Sequence, residues 1–387
     1  MASRTQEELE DAYYSEANTD MRNHWYPLIA SSTLTSEKPL GQHILGDPIV
    51  MYRDPATNEA ITLVDKCPHR SAPLSVGRIM DGKLECRYHG WQFESNGVCS
   101  KVPSNYKIPA NAKVRKYPTT EADGFVWVWP GDLDRVNQAP KPAIYFQTQR
   151  DWVQRSGVEV LDIDSSLLNE NFLDPAHLPF THETTIGKRS NSTVMTVSCE
   201  FIDKTSEGFG IGIEGFVSQP ERPDLEKVQQ KFHFIPPCIV SLDFGGMGDQ
   251  TFYCVPTRKG HCNFVYSQRF GFLQSAEKFF LGRAMLNWYN PQYTRKILME
   301  DYEMLKGQQE RLAQGANAMN SPVPADLMIK TFRNWWRKVM KREDGGPWFT
   351  GFSSDMEDIL LEGVPRRAVG GKGKVVKTGK DKVAETA

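Results

Sequence analysis

The sequence predicts an α+β protein, a small all-β domain followed by a domain of antiparallel strands and long helices. Three observations point there. Short β-type runs separated by turn formers fill the chain from about Asn23 to Pro130. From Tyr145 onward, strand runs alternate with two long helical patterns, and between the two regions "GDLDRVNQAPKPAI" is rich in turn residues and reads as a linker. The expected division is residues 1–22 as an N-terminal extension, 23–135 as the β domain, 145–365 as the second domain and 366–387 as a loose tail.

Within the first domain, "HILGDPIVMYRD" and "AITLVDKC" read as strands flanking a turn at "DPATNE", and "GFVWVWPG" reads as a strand ended by Pro130 and Gly131. In the second, Asp164 is placed to cap a helix over "SSLLNENFLD", and Pro179 stops a simple helix from running through "PAHLPFTH". Strands are expected in "STVMTVSCEFI", "PPCIVSLDF", "TFYCVPT" and "CNFVYSQRF". Two helices follow, over "SAEKFFLGRAMLNWY" and "PQYTRKILMEDYEMLKGQQERLAQG", the second opening at Pro291 and closing at Gly315. The final "RRAVGGKGKVVKTGKDKVAETA" is basic, Gly-rich and poor in large apolar residues.

Composition excludes some functions. A chain of 387 residues with 39% apolar and 24% charged residues is ordinary for a packed protein, and its formal charge of −2 supplies no basic field for nucleic acid. No apolar run approaches the ~20 residues of a spanning helix. The N-terminus "MASRTQEELEDAYYSEANTD" has neither a signal-peptide core nor the acid-poor composition of a transit peptide, so any membrane contact is expected to be peripheral or through a partner. Seven scattered cysteines make a poor disulfide framework and favour a reducing compartment.

Two motifs carry chemistry. "CPHRSAPLSVGRIMDGKLECRYHGWQF" contains Cys67, His69, Cys86 and His89, one Cys-His pair at each of two loop tips. Such pairs can hold one zinc ion or a two-iron cluster. A zinc ribbon normally uses two thiolates at each tip, whereas a Rieske centre holds one iron by two thiolates and the other by two imidazoles, which raises the potential and suits a ferredoxin-like donor. Structural zinc stays the alternative.

The second motif is "NENFLDPAHLPFTH". His177 and His182 bracket Pro179, and two imidazoles plus a carboxylate form the facial triad of non-haem iron oxygenases. The carboxylate is expected from Asp301, which shares a helical stripe with Leu305, Gln308 and Leu312 and so faces inward; the bland reading is a buried salt bridge. Glu300 and Glu303 fall off that stripe and are expected in solvent. Asp174 is placed to accept a hydrogen bond from a ligating imidazole, or else ends a helix in water. Asn171 either reaches the metal or satisfies backbone.

With both motifs in this order the chain resembles the Rieske non-haem iron oxygenases over nearly its full length. The stretches "NHWYP", "DPAHLPFTH", "PPCIVSL", "GQQERLAQGAN" and "FRNWWRKV" are similar to the chlorophyllide a oxygenase and pheophorbide a oxygenase branch. The resemblance implies an all-β Rieske [2Fe-2S] domain followed by a helix-grip-like catalytic domain. It implies a [2Fe-2S] cluster on Cys67, His69, Cys86 and His89, and Fe(II) on His177, His182 and Asp301. It also implies head-to-tail trimers, with Asp174 as the carboxylate that bridges the cluster of one subunit and the iron of its neighbour.

The implied reaction takes the C7 methyl of chlorophyllide a to formyl by two successive hydroxylations, each using O2 and electrons from reduced ferredoxin. The implied place is a chloroplast thylakoid or inner envelope, or a cyanobacterial thylakoid. The transit peptide and long N-terminal regulatory region of plant members are not found, so a mature, prokaryotic or minimal algal form is expected. The C-terminal Cys-x2-Cys of pheophorbide-type relatives is also missing, which makes their substrate less suitable. A homotrimer is the simplest assembly and a hetero-oligomer of related subunits the alternative. Competing readings are a Rieske monooxygenase or demethylase for another aromatic or tetrapyrrole substrate, and a non-catalytic electron-transfer subunit. Phe232, Phe234, Cys238, Phe252, Tyr253, Trp288 and Tyr289 either line a wide substrate cavity or fill the core.

Overall fold

A computed structural model describes residues 4–105, 107–147, 152–221, 230–245, 248–270 and 280–341. The expected tail and the end of the second domain lie outside the described residues.

The N-terminal domain is all β. One sheet joins Tyr26–Ala30, Phe125–Val128 and Thr119–Ala122; a second joins Leu40–Ile44, Asp47–Arg53, Ala60–Val64 and Lys116–Tyr117. "HILGDPIVMYRD" is therefore not one strand but a hairpin. Its turn residues Leu45 and Gly46 have φ of 48° and 82°, the left-handed pair that matches strand twist in a two-residue turn. A third, small sheet of Arg78–Met80, Lys83–Glu85, Gln92–Phe93 and Cys99–Lys101 carries the Cys-His loops. Leu74, Leu84, Phe93, Val102 and Val114 give this tip its own hydrophobic cluster.

The second domain is a seven-stranded antiparallel sheet in the order Val153–Leu161, His261–Phe270, Gly248–Arg258, Ile239–Asp243, Lys231–Ile235, Ile211–Ser218, Thr196–Asp203. The four expected strands are present. Val153–Leu161, Ile211–Ser218 and Lys231–Ile235 were not anticipated; the first two are interrupted by glycine and the third is a short run. Residues paired across strands share a face. The Phe234↔Val240↔Phe252 row faces helices, since Phe172 of the helix Ser165–Phe172 lies 4.3 Å from Phe252, and Phe332 and Trp335 of the helix Leu327–Met340 lie 4.8 and 5.2 Å from Phe234. The opposite face meets the N-terminal domain, where Asn263 donates to the Leu28 carbonyl and Trp127 packs edge-on against Tyr253. The two domains thus share one continuous core.

One expectation changes here. The two C-terminal helical patterns form a single helix, Phe280–Ala313, with Pro291 inside it. The proline removes one backbone donor, and the turns on both sides carry the helix through. Within the expected N-terminal extension the helix Gln6–Tyr13 docks on the sheet, with Gln6 bonded both ways to the Phe201 backbone and Tyr13 fully buried. Of the two readings for the strand aromatics the core one applies, since Phe232, Phe234, Cys238, Phe252 and Tyr253 are all 4% exposed or less. The side chains of Trp288 and Tyr289 lie outside the described part.

The helix Ser165–Phe172 is held firmly. The Asp164 carboxylate caps it by accepting from Ser166 N at 3.0 Å, and Gln309 of the long helix accepts from Asp164 N at 2.6 Å. At its other end Glu170 accepts from Arg333 in a buried pair; burial pushes the Glu170 carboxyl up to about 7 even so.

Candidate metal centres

The two Cys-His loops close in the same way. Ser71 N donates to the Cys67 carbonyl and Gly90 N to the Cys86 carbonyl, both at 2.9 Å, while Cys67 N and Cys86 N donate to Ala72 and Trp91. Ser71 and Gly90 both take positive φ, 56° and 70°, at the matching position. Each loop therefore points its cysteine inward and its histidine outward. Cys67 and Cys86 are 2% exposed, and their thiols face each other; burial, then the Cys86 thiol, push Cys67 up to about 11, although the His69 and Arg70 amides aimed at it act the other way. His69 and His89 are exposed, with ring centroids 4.6 Å apart, and His69 stacks flat on Trp91 at 4.8 Å.

The second cluster forms where the capped helix ends. His177 precedes and His182 follows the short helix Leu178–Thr181, so Pro179 shapes a turn that brings both rings to one side. Their Nε2 atoms lie 3.5 and 3.1 Å from Asp301 Oδ1 on the long helix. One ligand atom from each residue falls within 4.8 Å of the others, the only such group of three among the described residues. Among the described residues Asp301 Oδ1 is buried without a hydrogen-bond donor, so these contacts are lone pairs aimed at a shared point. A buried carboxylate left in that state is unfavourable unless a cation sits there.

The other expected residues are close by. Asp174 Oδ2 lies 3.7 Å from His177 Nδ1, beyond hydrogen-bond length, because Asp174 Oδ1 accepts from Ala176 N at 2.8 Å and sets the carboxylate's orientation. Neither expected alternative applies in full, since Asp174 is half-buried, neither solvated nor yet bonded. Asn171 Nδ2 is buried and has no hydrogen-bond partner among the described residues, so it does not serve the backbone there.

The Rieske [2Fe-2S] domain family matches residues 24–118, and the pheophorbide a oxygenase family matches residues 234–318. The chain therefore carries a Rieske [2Fe-2S] domain followed by a pheophorbide a oxygenase domain. It is 29% identical to the chloroplastic protein TIC 55 of Pisum sativum over 92% of this chain and 65% of that one. It is 30% identical to the chloroplastic chlorophyllide a oxygenase of Chlamydomonas reinhardtii over 83% of this chain and 48% of that one. The chain thus spans about half to two thirds of the length of these relatives. The crystal structure of dicamba monooxygenase bound to dicamba shares its fold, with a TM-score of 0.61 at 20% identity over 82% of this chain and 97% of that one.

Its cofactors are a [2Fe-2S] cluster and a mononuclear iron, and the donor sets fit both. Two buried thiols and two exposed imidazoles suit an unsymmetrical cluster, and an unpartnered carboxylate oxygen between two imidazoles suits an open iron site.

Sequence reasoning missed Glu300. It is not solvated: Glu300 accepts from Thr184 Oγ1, from Thr185 Oγ1 at 2.6 Å, and pairs with His182 Nδ1 at 2.9 Å. Neighbours on one helix thus face the same imidazole from both sides, Asp301 at Nε2 and Glu300 at Nδ1. Burial alone would lower the His182 pKa, but Asp301 and Glu300 outweigh it and raise it. With Glu300 as acceptor, Nδ1 carries the proton and Nε2 keeps a free lone pair for a metal. Changing Glu300 to Gln keeps the shape and removes the charge; iron affinity, measured by competition with a chelator, should fall about tenfold. Unchanged affinity would show that the turn alone orients His182.

Proposed function

We propose that Cys67, His69, Cys86 and His89 hold the cluster, that His177, His182 and Asp301 hold Fe(II), and that the chain converts chlorophyllide a to chlorophyllide b by two O2-dependent hydroxylations of the C7 methyl. In this reading residues 23–135 take up electrons from reduced ferredoxin and residues 145–365 carry out the oxidation. When bound, the cluster supplies electrons singly and the iron binds and activates dioxygen. The chain's own part is positioning. Asp301 and the two imidazoles would hold the iron, while Glu300 holds His182 in one tautomer. Asp174 stands behind His177 with Oδ2 3.7 Å from Nδ1, beyond hydrogen-bond length, and is the carboxylate that would accept from that nitrogen if the two closed.

The observation that supports this reading most is the similarity to chlorophyllide a oxygenase across 83% of a chain whose sequence carries all four Cys and His of the loop tips and whose structure brings His177, His182 and Asp301 together. A triad of this kind also argues against a subunit that only transfers electrons. A head-to-tail homotrimer fits the outward histidines, with a hetero-oligomer as the alternative. A chloroplast thylakoid or inner-envelope location, or a cyanobacterial thylakoid, agrees with the chloroplastic relatives. Among the described residues no helix is long and apolar enough to cross a membrane, so contact would be peripheral.

A second reading is favoured by one fact: TIC 55 is as similar as chlorophyllide a oxygenase and over more of this chain. Oxidation of another tetrapyrrole or aromatic methyl would need the same iron site. The two readings separate in one assay. Protein with both metals loaded, given chlorophyllide a, reduced ferredoxin and O2, should yield the 7-hydroxymethyl and then the 7-formyl product. Absence of both products from metal-replete protein rejects the first reading.

A further inference from the structure

The inward stripe of the long helix carries a second polar residue besides Asp301. Thr294, Leu298, Asp301 and Leu305 recur at helical spacing, and all four are 8% exposed or less. Thr294 therefore lies on the same side of the helix as Asp301, two turns or roughly 10 Å away along its axis. Its Oγ1 donates to Gln268 Oε1 at 3.1 Å, and Gln268 Nε2 donates in turn to Gln250 Oε1 at 3.1 Å. The two glutamines are cross-strand partners, placed two residues along their strands from the paired Phe252 and Tyr266, and so share the helix-facing side of the sheet. Their row continues into Leu242 and Phe232 on one side and Arg155 on the other.

This hydrogen-bond chain runs one way and stays open at one end. Each member gives its hydrogen to the next, and Gln250 ends the chain with an amide Nε2 that has no hydrogen-bond partner among the described residues, on a side chain that is partly exposed. Placing a hydroxyl and two amides between sheet and helix costs desolvation that apolar side chains would avoid, and the internal bonds offset it everywhere but at that end. We propose that Gln250, backed by Gln268 and Thr294, donates to an acceptor oxygen on the edge of the substrate remote from the oxidised methyl. Few polar groups placed at fixed points in an apolar setting are what orients a bound ligand. In chlorophyllide a the ring ketone and the propionate both lie across the macrocycle from C7, and the separation of Thr294 from Asp301 is on the scale of that width. Neither group changes in either hydroxylation, so one contact serves both rounds. The proposal rests on the iron assignment and the chlorophyllide reading above.

The test titrates three macrocycles into the full-length, metal-loaded chain without O2 or reductant, following their fluorescence: chlorophyllide a, its analogue with the ring ketone reduced to methylene, and its propionate methyl ester. One of the two altered macrocycles should bind wild-type protein about tenfold more weakly than chlorophyllide a, the deoxo analogue if the ketone is the acceptor and the ester if the carboxylate is. Gln250→Leu should bind chlorophyllide a about tenfold more weakly and lose that preference. Thr294→Val should weaken binding about threefold and Thr294→Ser restore it, as for a residue that acts through Gln268. A Gln250→Leu protein that keeps the wild-type preference overturns the proposal, and so does wild-type protein that binds all three equally. If Gln250→Leu does not fold, the Thr294 pair decides, and wild-type affinity in both variants overturns it. Wild-type protein that binds none of the three refutes the chlorophyllide reading instead, and the subsite with it.

Discussion

Substituting Asp301 by alanine is expected to strip the mononuclear iron and abolish turnover while leaving the cluster's reduced-state EPR signal intact. Asp301 is the one carboxylate that both imidazole Nε2 atoms approach, at 3.5 and 3.1 Å, and its Oδ1 has no donor. Two imidazoles alone hold Fe(II) weakly, so the loss should exceed the roughly 10- to 100-fold typical of an outer-sphere partner. The metal-free fold should tolerate the change. Removing a buried carboxylate oxygen that has no hydrogen bond relieves a desolvation penalty, and thermal melting of the apo-protein should show no loss of stability. The cluster tip has its own hydrophobic cluster, remote in sequence from the long helix, which is why its signal should survive. Losing both iron signals together, with a lowered melting temperature, would mark Asp301 as a folding residue. Asp301→Asn, which keeps the shape, guards against a trivial packing defect.

What the sequence revealed of the site follows from how local each signal is. The two Cys-His pairs and the His177/His182 pair are fixed within single turns, so the spacing of residues already carries their geometry. Asp301 was legible because a buried acid on the apolar stripe of Leu305 and Leu312 is conspicuous at helical spacing, and both leucines are buried, at 5% and 8%. Glu300 was not. It sits one residue off that stripe, where periodicity assigns it to solvent. What covers it is the loop after His182, which brings Thr184 and Thr185 against the helix. That contact spans over a hundred positions and leaves no periodic trace. The three unanticipated strands failed for a related reason, since pairing with neighbours completes runs that glycine or brevity weaken. Pro291 shows the opposite error: a strong local rule was overridden by the helix on both sides of it.

Asp174→Asn is the second variant expected to have a large effect, and it separates the relay from the metal. The amide keeps the size of the side chain, and its carbonyl can still accept from Ala176 N, so the turn leading to His177 should be preserved. What disappears is the negative charge 3.7 Å from His177 Nδ1, a buried nitrogen with no hydrogen-bond partner among the described residues. If the carboxylate closes on that nitrogen when the imidazole binds iron, and reaches a neighbouring subunit's cluster on its other side, both metals remain in the variant while electrons stop passing between them. Turnover should fall about 100-fold. The decisive measurement is a single turnover of pre-reduced protein: cluster oxidation after adding O2 and substrate should slow by the same factor, with iron content and the reduced cluster's EPR signal unchanged. Cluster oxidation at the wild-type rate would refute the relay. Loss of iron would instead place Asp174 among the groups that secure His177, because a tautomer left unfixed presents the wrong nitrogen to the metal.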